Sequence, residues 1–511
     1  MANILRFQDR LLGELEPRLA AKGFLKADTA KLQSIMVEKG YSGQPLVYPN
    51  ERIYALNLHN QKPLFFVFVK RDDKPGQKLG EKSDSVTILA SNPREDVLAS
   101  RLPLGKQYFR HTYSSGNPAQ IAEKIVDALS ELAATKTIHR MQVHFHSREM
   151  LDGTIAFDDG VSRMADIIRR AILHNVDVLA YTPHNSFAMD NCDWMNAFLR
   201  EFGIAAPLAS EITMPLAPGH PNGPHHIVLA AGKDAADEMR MKIFHRRDRT
   251  LEMESYFLGM TMDEMYSVLA PLRAANQAIV GIAHPVNCNT EALPVRGIGL
   301  FSATQQRHLA YEQAFVYARY TDFVECWNDS LYMGEMPFRS MDFLERMRGL
   351  LRKHSALLGL PQDLKMSANL CNLLVATELG ERFGLGQSYG TDAHTEAPLH
   401  RSYRVGGDNF SRGWTTLEVP ESLMRGRPIS AGEFVRGISD KTIKMGAVMF
   451  TQVYDGLIKI VDARTQRPEA LDEVIRHQVK RLNKTYRTKL INDFFGLAAF
   501  GGVEELGRMA E

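Results

Sequence analysis

Cysteine is scarce in this chain: four in 511 residues, Cys192, Cys288, Cys326 and Cys371, widely spaced and forming no CxxC pair. That pattern speaks against a disulfide framework or a zinc ribbon and leaves the four as buried apolar residues. An excess of charge of one sign is also lacking. With 61 Lys and Arg against 60 Asp and Glu, the formal net charge is +1. No general electrostatic footprint for nucleic acid follows, although a local basic groove stays open. No run of about 18 apolar residues predicts a membrane helix. Near the N-terminus, Leu5, Leu11, Leu12 and Leu15 are interleaved with Arg6, Asp9, Arg10, Glu14 and Glu16, an amphipathic helix ending near Pro17 and not a signal peptide. Internal repeats and low-complexity segments are absent. What is left is a globular chain, cytoplasmic by default, whose length allows roughly three domains at about 150 residues each.

The pattern along the chain divides it accordingly. After the first helix come three strand-like runs, Ile53 to Leu58, Pro63 to Lys70 and Ser85 to Ala90, the last two separated by the polar turn Arg71 to Lys78. A helix pattern over Pro118 to Ala134 follows. Residues 1–138 are therefore expected to form an accessory α/β domain, 139–428 the chemical core, and 429–511 a mostly helical extension. In the extension, Ile429 to Gly437 and Pro468 to Asp493 look helical. The second carries Arg476, His477, Lys480, Arg481, Lys484, Arg487 and Lys489, a solvated helix face or a surface for an anionic partner.

The core holds what is unusual: histidine, aspartate and glutamate next to one apolar run after another. Met141 to His146 alternates with period two, so His144 and His146 should project from the same face of a strand, where two imidazoles can chelate one cation. An isolated pair of this kind is equally an ordinary strand end. The amphipathic stretch Met164 to Leu173 then leads into Val176 to Thr182, which stops at Pro183-His184-Asn185. Ala205 to Ser210 stops at Glu211, and Ile227 to Ala231 is preceded by His225-His226. Ala278 to Ala283 runs into His284-Pro285, and Gly386 to Thr391 into Asp392 and His394. Parallel strands alternating with helices bring their carboxyl ends to one face of a sheet or barrel, so residues distant in sequence would converge there.

In order and type these residues resemble the PHP (polymerase and histidinol phosphatase) family of metal-dependent phosphoesterases, over about Thr137 to Val419. The opening motif is HFHSREMLDG, with His144, His146 and Asp152; LAYTPHN supplies His184; Glu211 matches the third motif; His226 precedes an apolar strand; Ala283-His284-Pro285 and Thr391-Asp392-Ala393-His394 complete the set. Departures are Pro183 beside His184, one extra residue between His146 and Asp152, His225 as an alternative to His226, and long stretches over 232–278 and 286–387.

The resemblance implies a PHP-type distorted (β/α)7 barrel. It also implies two or three divalent metal ions, zinc or manganese first and iron as an alternative. One would be held by His144, His146, Glu211 and Asp392. Glu211 would bridge to a second held by His226 and His284, and a third would use Asp152, His184 and His394. Glu211, Asp392 and His394 are the implied catalytic residues of a phosphoesterase, acting on a phosphorylated small molecule or nucleotide, with nucleic acid left open. Arg148 and Arg401, near the first and last motifs, are candidate phosphate ligands. An amidohydrolase also opens with HxH on a barrel strand, and a metal-stabilised module that only binds a nucleotide or partner is the non-enzymatic alternative.

Overall fold

A computed structural model describes residues 6–26, 34, 51–56, 64–71, 85–91, 108–134, 139–146, 167–168, 171, 176–187, 196, 199–200, 202–213, 225–246, 260–286, 311–328, 341–354, 368–393, 413–423, 429–451 and 456–461. Two sheets organise them. The first is an antiparallel meander of β1 (Phe24–Lys26), β2 (Glu51–Leu56), β3 (Leu64–Arg71), β4 (Ser85–Ser91) and β5 (Tyr108–Tyr113), paired in chain order. It contains the three runs expected as strands, with β1 and β5 added at its edges. The helices Phe7–Ala21 and Pro118–Ala134 present Leu11, Leu15, Leu19, Ile121, Ile125 and Leu129 at helical spacing. These pack with Tyr54, Val86 and Ile88 in one buried cluster. Tyr54 donates to Glu16 Oε1 at 2.7 Å, and burial, then that carboxylate, pushes its hydroxyl far above the usual tyrosine range.

The first helix does not stop at Pro17 but continues to Ala21. An interior proline costs about 3 kcal/mol. Burial of Leu15 and Leu19 on either side of it, worth roughly 2 kcal/mol each, offsets that cost.

The second sheet has ten strands: β6 (His139–Phe145), β7 (Val178–Ala180), β8 (Leu208–Thr213), β9 (His225–Ala230), β10 (Ala278–Ile282), β11 (Phe323–Asn328), β12 (Gly386–Ala393), β13 (Gly413–Glu418), β14 (Lys444–Thr451) and β15 (Gly456–Val461). β10, β11, β12, β6 and β7 are consecutive parallel neighbours. β9 runs antiparallel to both β8 and β10. Uniform parallel alternation therefore fails at β8 and β9, where a strand pair replaces a helical crossover. Parallel bridges from Val178 to Ala205 and from His184 to Glu211 link the β7 segment to the β8 segment. β6, β9, β10 and β11 are almost wholly buried, as strands covered on both faces must be.

Three contacts fix the strands that carry the site. The helix Met262–Ala274 starts at a capping box, Thr261 with Glu264. Near its end Arg273 grips Asp322 with two hydrogen bonds, 3.0 and 2.7 Å. The same carboxylate accepts the Val280 N–H at 2.8 Å, tying β10 to the start of β11. Gly281 lies so close to Phe323 that a Cβ would sit 2.1 Å from the ring.

Beyond β13 the expected helix is present as Ala431–Ser439, opened by the capping box of Ser430 and Glu433. β14 then adds antiparallel to β13, and β15 antiparallel to β14, so residues 444–451 and 456–461 extend the main sheet as strands, where a helix was expected. Alternating apolar residues in Lys444–Thr451 suit a strand. Pro468 to Asp493 lies outside the described residues.

Candidate metal centre

Five strand ends bring six side chains together, five imidazoles around one carboxylate. His144 and His146 come from the end of β6, His184 from the segment after β7, Glu211 from β8, His225 from the start of β9 and His284 from just past β10. β9 contributes through its N-terminus because it runs antiparallel: its first residue lies opposite Thr213 at the end of β8. The rim of carboxyl ends is thus completed by an amino end.

Glu211 is at the middle and buried. Its Oε2 lies 3.2 Å from His144 Nε2, 3.1 Å from His146 Nε2 and 3.4 Å from His184 Nδ1. Its Oε1 contacts His225 Nδ1 and lies 3.6 Å from His284 Nε2. The His146 and His184 rings stack at 4.5 Å, and those of His225 and His284 meet edge to face at 4.8 Å. His144 and His146 share a target, as the period of two predicts, although His144 has φ of 66°. His284 has φ of 26°. Left-handed backbone at two bulky residues is a strain that the surrounding structure must hold in place.

Burial alone would raise the Glu211 carboxyl, but His144, His225 and His184 outweigh it and hold it well below the usual range. His225 is pushed down by burial, which the attraction of Glu211 only partly opposes. For His284, burial acts downward, but contacts with Glu211 and Glu325 win and raise it.

The donor set fits a divalent cation. Glu211 Oε2 accepts no hydrogen bond among the described residues, although three imidazole nitrogens lie within 3.4 Å of it. A cation among them would be ligated by this oxygen and these nitrogens together. Two compact triads share Glu211: His144 with His146, and His225 with His284. Nitrogen and oxygen without thiolate suit zinc, manganese or iron.

His226 is not in either triad. Successive residues of a strand face opposite ways, and His226 packs edge to face with Tyr266, 5.7 Å between ring centres, while His225 reaches Glu211. Of the two positions left open by the sequence, His225 is the one that contacts Glu211. Strand β12 carries Asp392 beside β6, with an irregularity between the pairs Gly390–Val143 and Ala393–Phe145. The Asp392 side chain, together with Asp152, His394, Arg148 and Arg401, lies outside the described residues.

One residue of the centre escaped the sequence reading. Glu325, inside β11, is fully buried, and its Oε1 lies 2.9 Å from His144 Nδ1. With His144 and His284 it forms a further compact group. An acidic residue within an otherwise apolar strand, FVECWN, was the available signal. Among the cysteines, Cys326 and Cys371 are buried, as expected.

No family model and no curated protein match the chain. Solved structures do. A two-domain protein from Bacteroides vulgatus, described as containing a predicted PHP-like metal-dependent phosphoesterase, matches at 13% identity over 62% of this chain and 76% of its own, TM-score 0.29. The lesion-specific endonuclease Q from Pyrococcus furiosus matches at 13% identity over 67% of this chain and 66% of its own, TM-score 0.31. Endonuclease Q bound to a 27-mer duplex with an abasic lesion matches at 13% identity over 60% of this chain and 57% of its own, TM-score 0.29. The first of these bears the name of the family that the motifs resemble.

Proposed function

We propose that this chain is a metal-dependent hydrolase of phosphate esters, with a PHP-type distorted barrel formed by β6 to β12 and a centre of at least two divalent ions. The observation that carries this reading is Glu211, one buried carboxylate in reach of five imidazole nitrogens from four other strand ends. His144, His146 and Glu211 would hold one ion, with Asp392 from the neighbouring strand. Glu211, His225 and His284 would hold the second. His184, with Asp152 and His394, is assigned to a third. Zinc or manganese fits these donors first, and iron next.

Divalent ions held by these residues would supply acidification of a bound water and neutralisation of charge on the phosphate ester oxygens. The residues of the chain hold and orient. Glu211 stays ionised, because the imidazoles keep its carboxyl low, and can therefore be shared between two positions. Each histidine offers a neutral nitrogen whose direction is set by packing against the next ring. The strand ends exclude bulk water by burial of every described member. Arg148 and Arg401 are assigned to phosphate recognition through guanidinium donors. Residues 1–138 are assigned to an accessory domain and 139–428 to the catalytic core, with nucleotides or nucleic-acid ends within the substrate range of the reading.

Hydrolysis of generic phosphomonoester, phosphodiester and cyclic-amide substrates, before and after metal stripping, tests this. Metal-dependent cleavage of a phosphomonoester or phosphodiester, lost in Glu211→Gln, is the expected result. Amide cleavage without phosphate release would replace the reading with that of an amidohydrolase.

A further inference from the structure

Glu325 has no counterpart among the motif residues, yet it reaches the same centre from β11. Its Oε1 lies 2.9 Å from His144 Nδ1, and its Oε2 accepts the His284 backbone N–H at 2.9 Å and an Asn328 side-chain N–H at 3.0 Å. Space for it is made by Gly390 on the neighbouring strand, where a Cβ would fall 1.4 Å from Glu325 Oε1. A carboxylate aimed by two donors on one oxygen has the other directed at an imidazole. The opposite nitrogen of that imidazole, Nε2, points at Glu211.

We infer that Glu325 is a positioning residue that accepts the Nδ1–H of His144, fixing the tautomer in which Nε2 is the metal-binding nitrogen, and holds the His284 backbone in register with it. The inference rests on the metal-centre reading above. Imidazole can ligate through one nitrogen only when the proton sits on the other, and a carboxylate partner both orients the ring and strengthens it as a donor. Glu325 also couples the two triads, since one carboxylate touches a member of each. Its contact with His284 is through the backbone at φ of 26°, which helps hold that conformation.

The test compares wild type with Glu325→Gln by chelator competition for zinc and by the visible spectrum of cobalt-substituted protein. Glutamine has the same shape, but either amide orientation sets its NH2 against a donor. Affinity should fall about 10–100-fold, with a shifted cobalt spectrum and no loss in the number of ions bound. If Glu325→Gln does not fold, Asn328→Ala, which removes one of the bonds aiming the carboxylate, should weaken zinc several-fold. Unchanged affinity in the folded variant, weaker binding with an unaltered cobalt spectrum, or loss of a full metal equivalent would each overturn the positioning role while leaving the centre intact. A wild type that binds no zinc, cobalt or manganese would overturn the centre and this inference together.

Discussion

At the scale of the residue, the account turns on which atoms face Glu211. His225→Ala should remove ligand nitrogen from the second triad and lower metal content, whereas His226→Ala should keep the metal and lose about 1–3 kcal/mol by vacating a packed site beside Tyr266. Metal analysis with thermal unfolding of both variants checks this, and the reverse outcome would restore His226. The sequence could not choose between them, because the choice depends on the register of β9. A one-residue slip exchanges the two faces of a strand. His144, His146, His184, Glu211 and His284 were readable because each closes an apolar run. Glu325 was not, because it lies within its run and its role depends on the neighbouring strand, where Gly390 leaves room. Gly281→Ala places a methyl against Phe323, and overpacking of this kind should cost about 1–3 kcal/mol without touching the ligands.

At the scale of the element, β10 and β11 are held by Asp322. Asp322→Ala leaves the Val280 N–H and the Arg273 guanidinium without this acceptor. The loss should be about 1–3 kcal/mol, read by denaturant unfolding, and a change below a few tenths would remove the contact from the account. Thr261→Ala, which opens the capping box, should cost roughly 1 kcal/mol. Element types were largely legible from periodicity: β2, β3, β4, β6 and the helices Pro118–Ala134 and Ala431–Ser439 fall where the pattern puts them. Topology was less so. The placement of β9 against β10 and of β14 against β13 arises from long-range pairing, which local pattern does not encode. Proline at position 17 predicts a stop, but tertiary burial of its neighbours overrides that signal.

At the scale of the molecule, protons and metal compete for one buried cluster. In the metal-free protein, His284 is raised, so its contribution to stability is present below its unfolded value near pH 6.5 and fades as pH rises through its higher folded value. His225 is lowered, and its contribution is lost as pH falls below about 6.5. Glu211 is held low, so it remains charged well into acid. Metal should therefore be released as the histidines protonate, before the carboxylate titrates. Metal retained after dialysis at stepped pH reads this directly, and release only in the carboxylate range would contradict it. Because the ligands come from five strand ends, stripping the metal should also lower the unfolding temperature and make it depend on metal concentration. No helix among the described residues is long and apolar enough to cross a membrane.

The most direct test of the central claim is the metal content of protein purified without chelator, measured for wild type and Glu211→Gln. At least two equivalents of zinc, manganese or iron in wild type, with a marked loss in the folded variant, is the predicted result. A wild type that neither retains nor takes up these metals, or a variant that holds them undiminished, would contradict it.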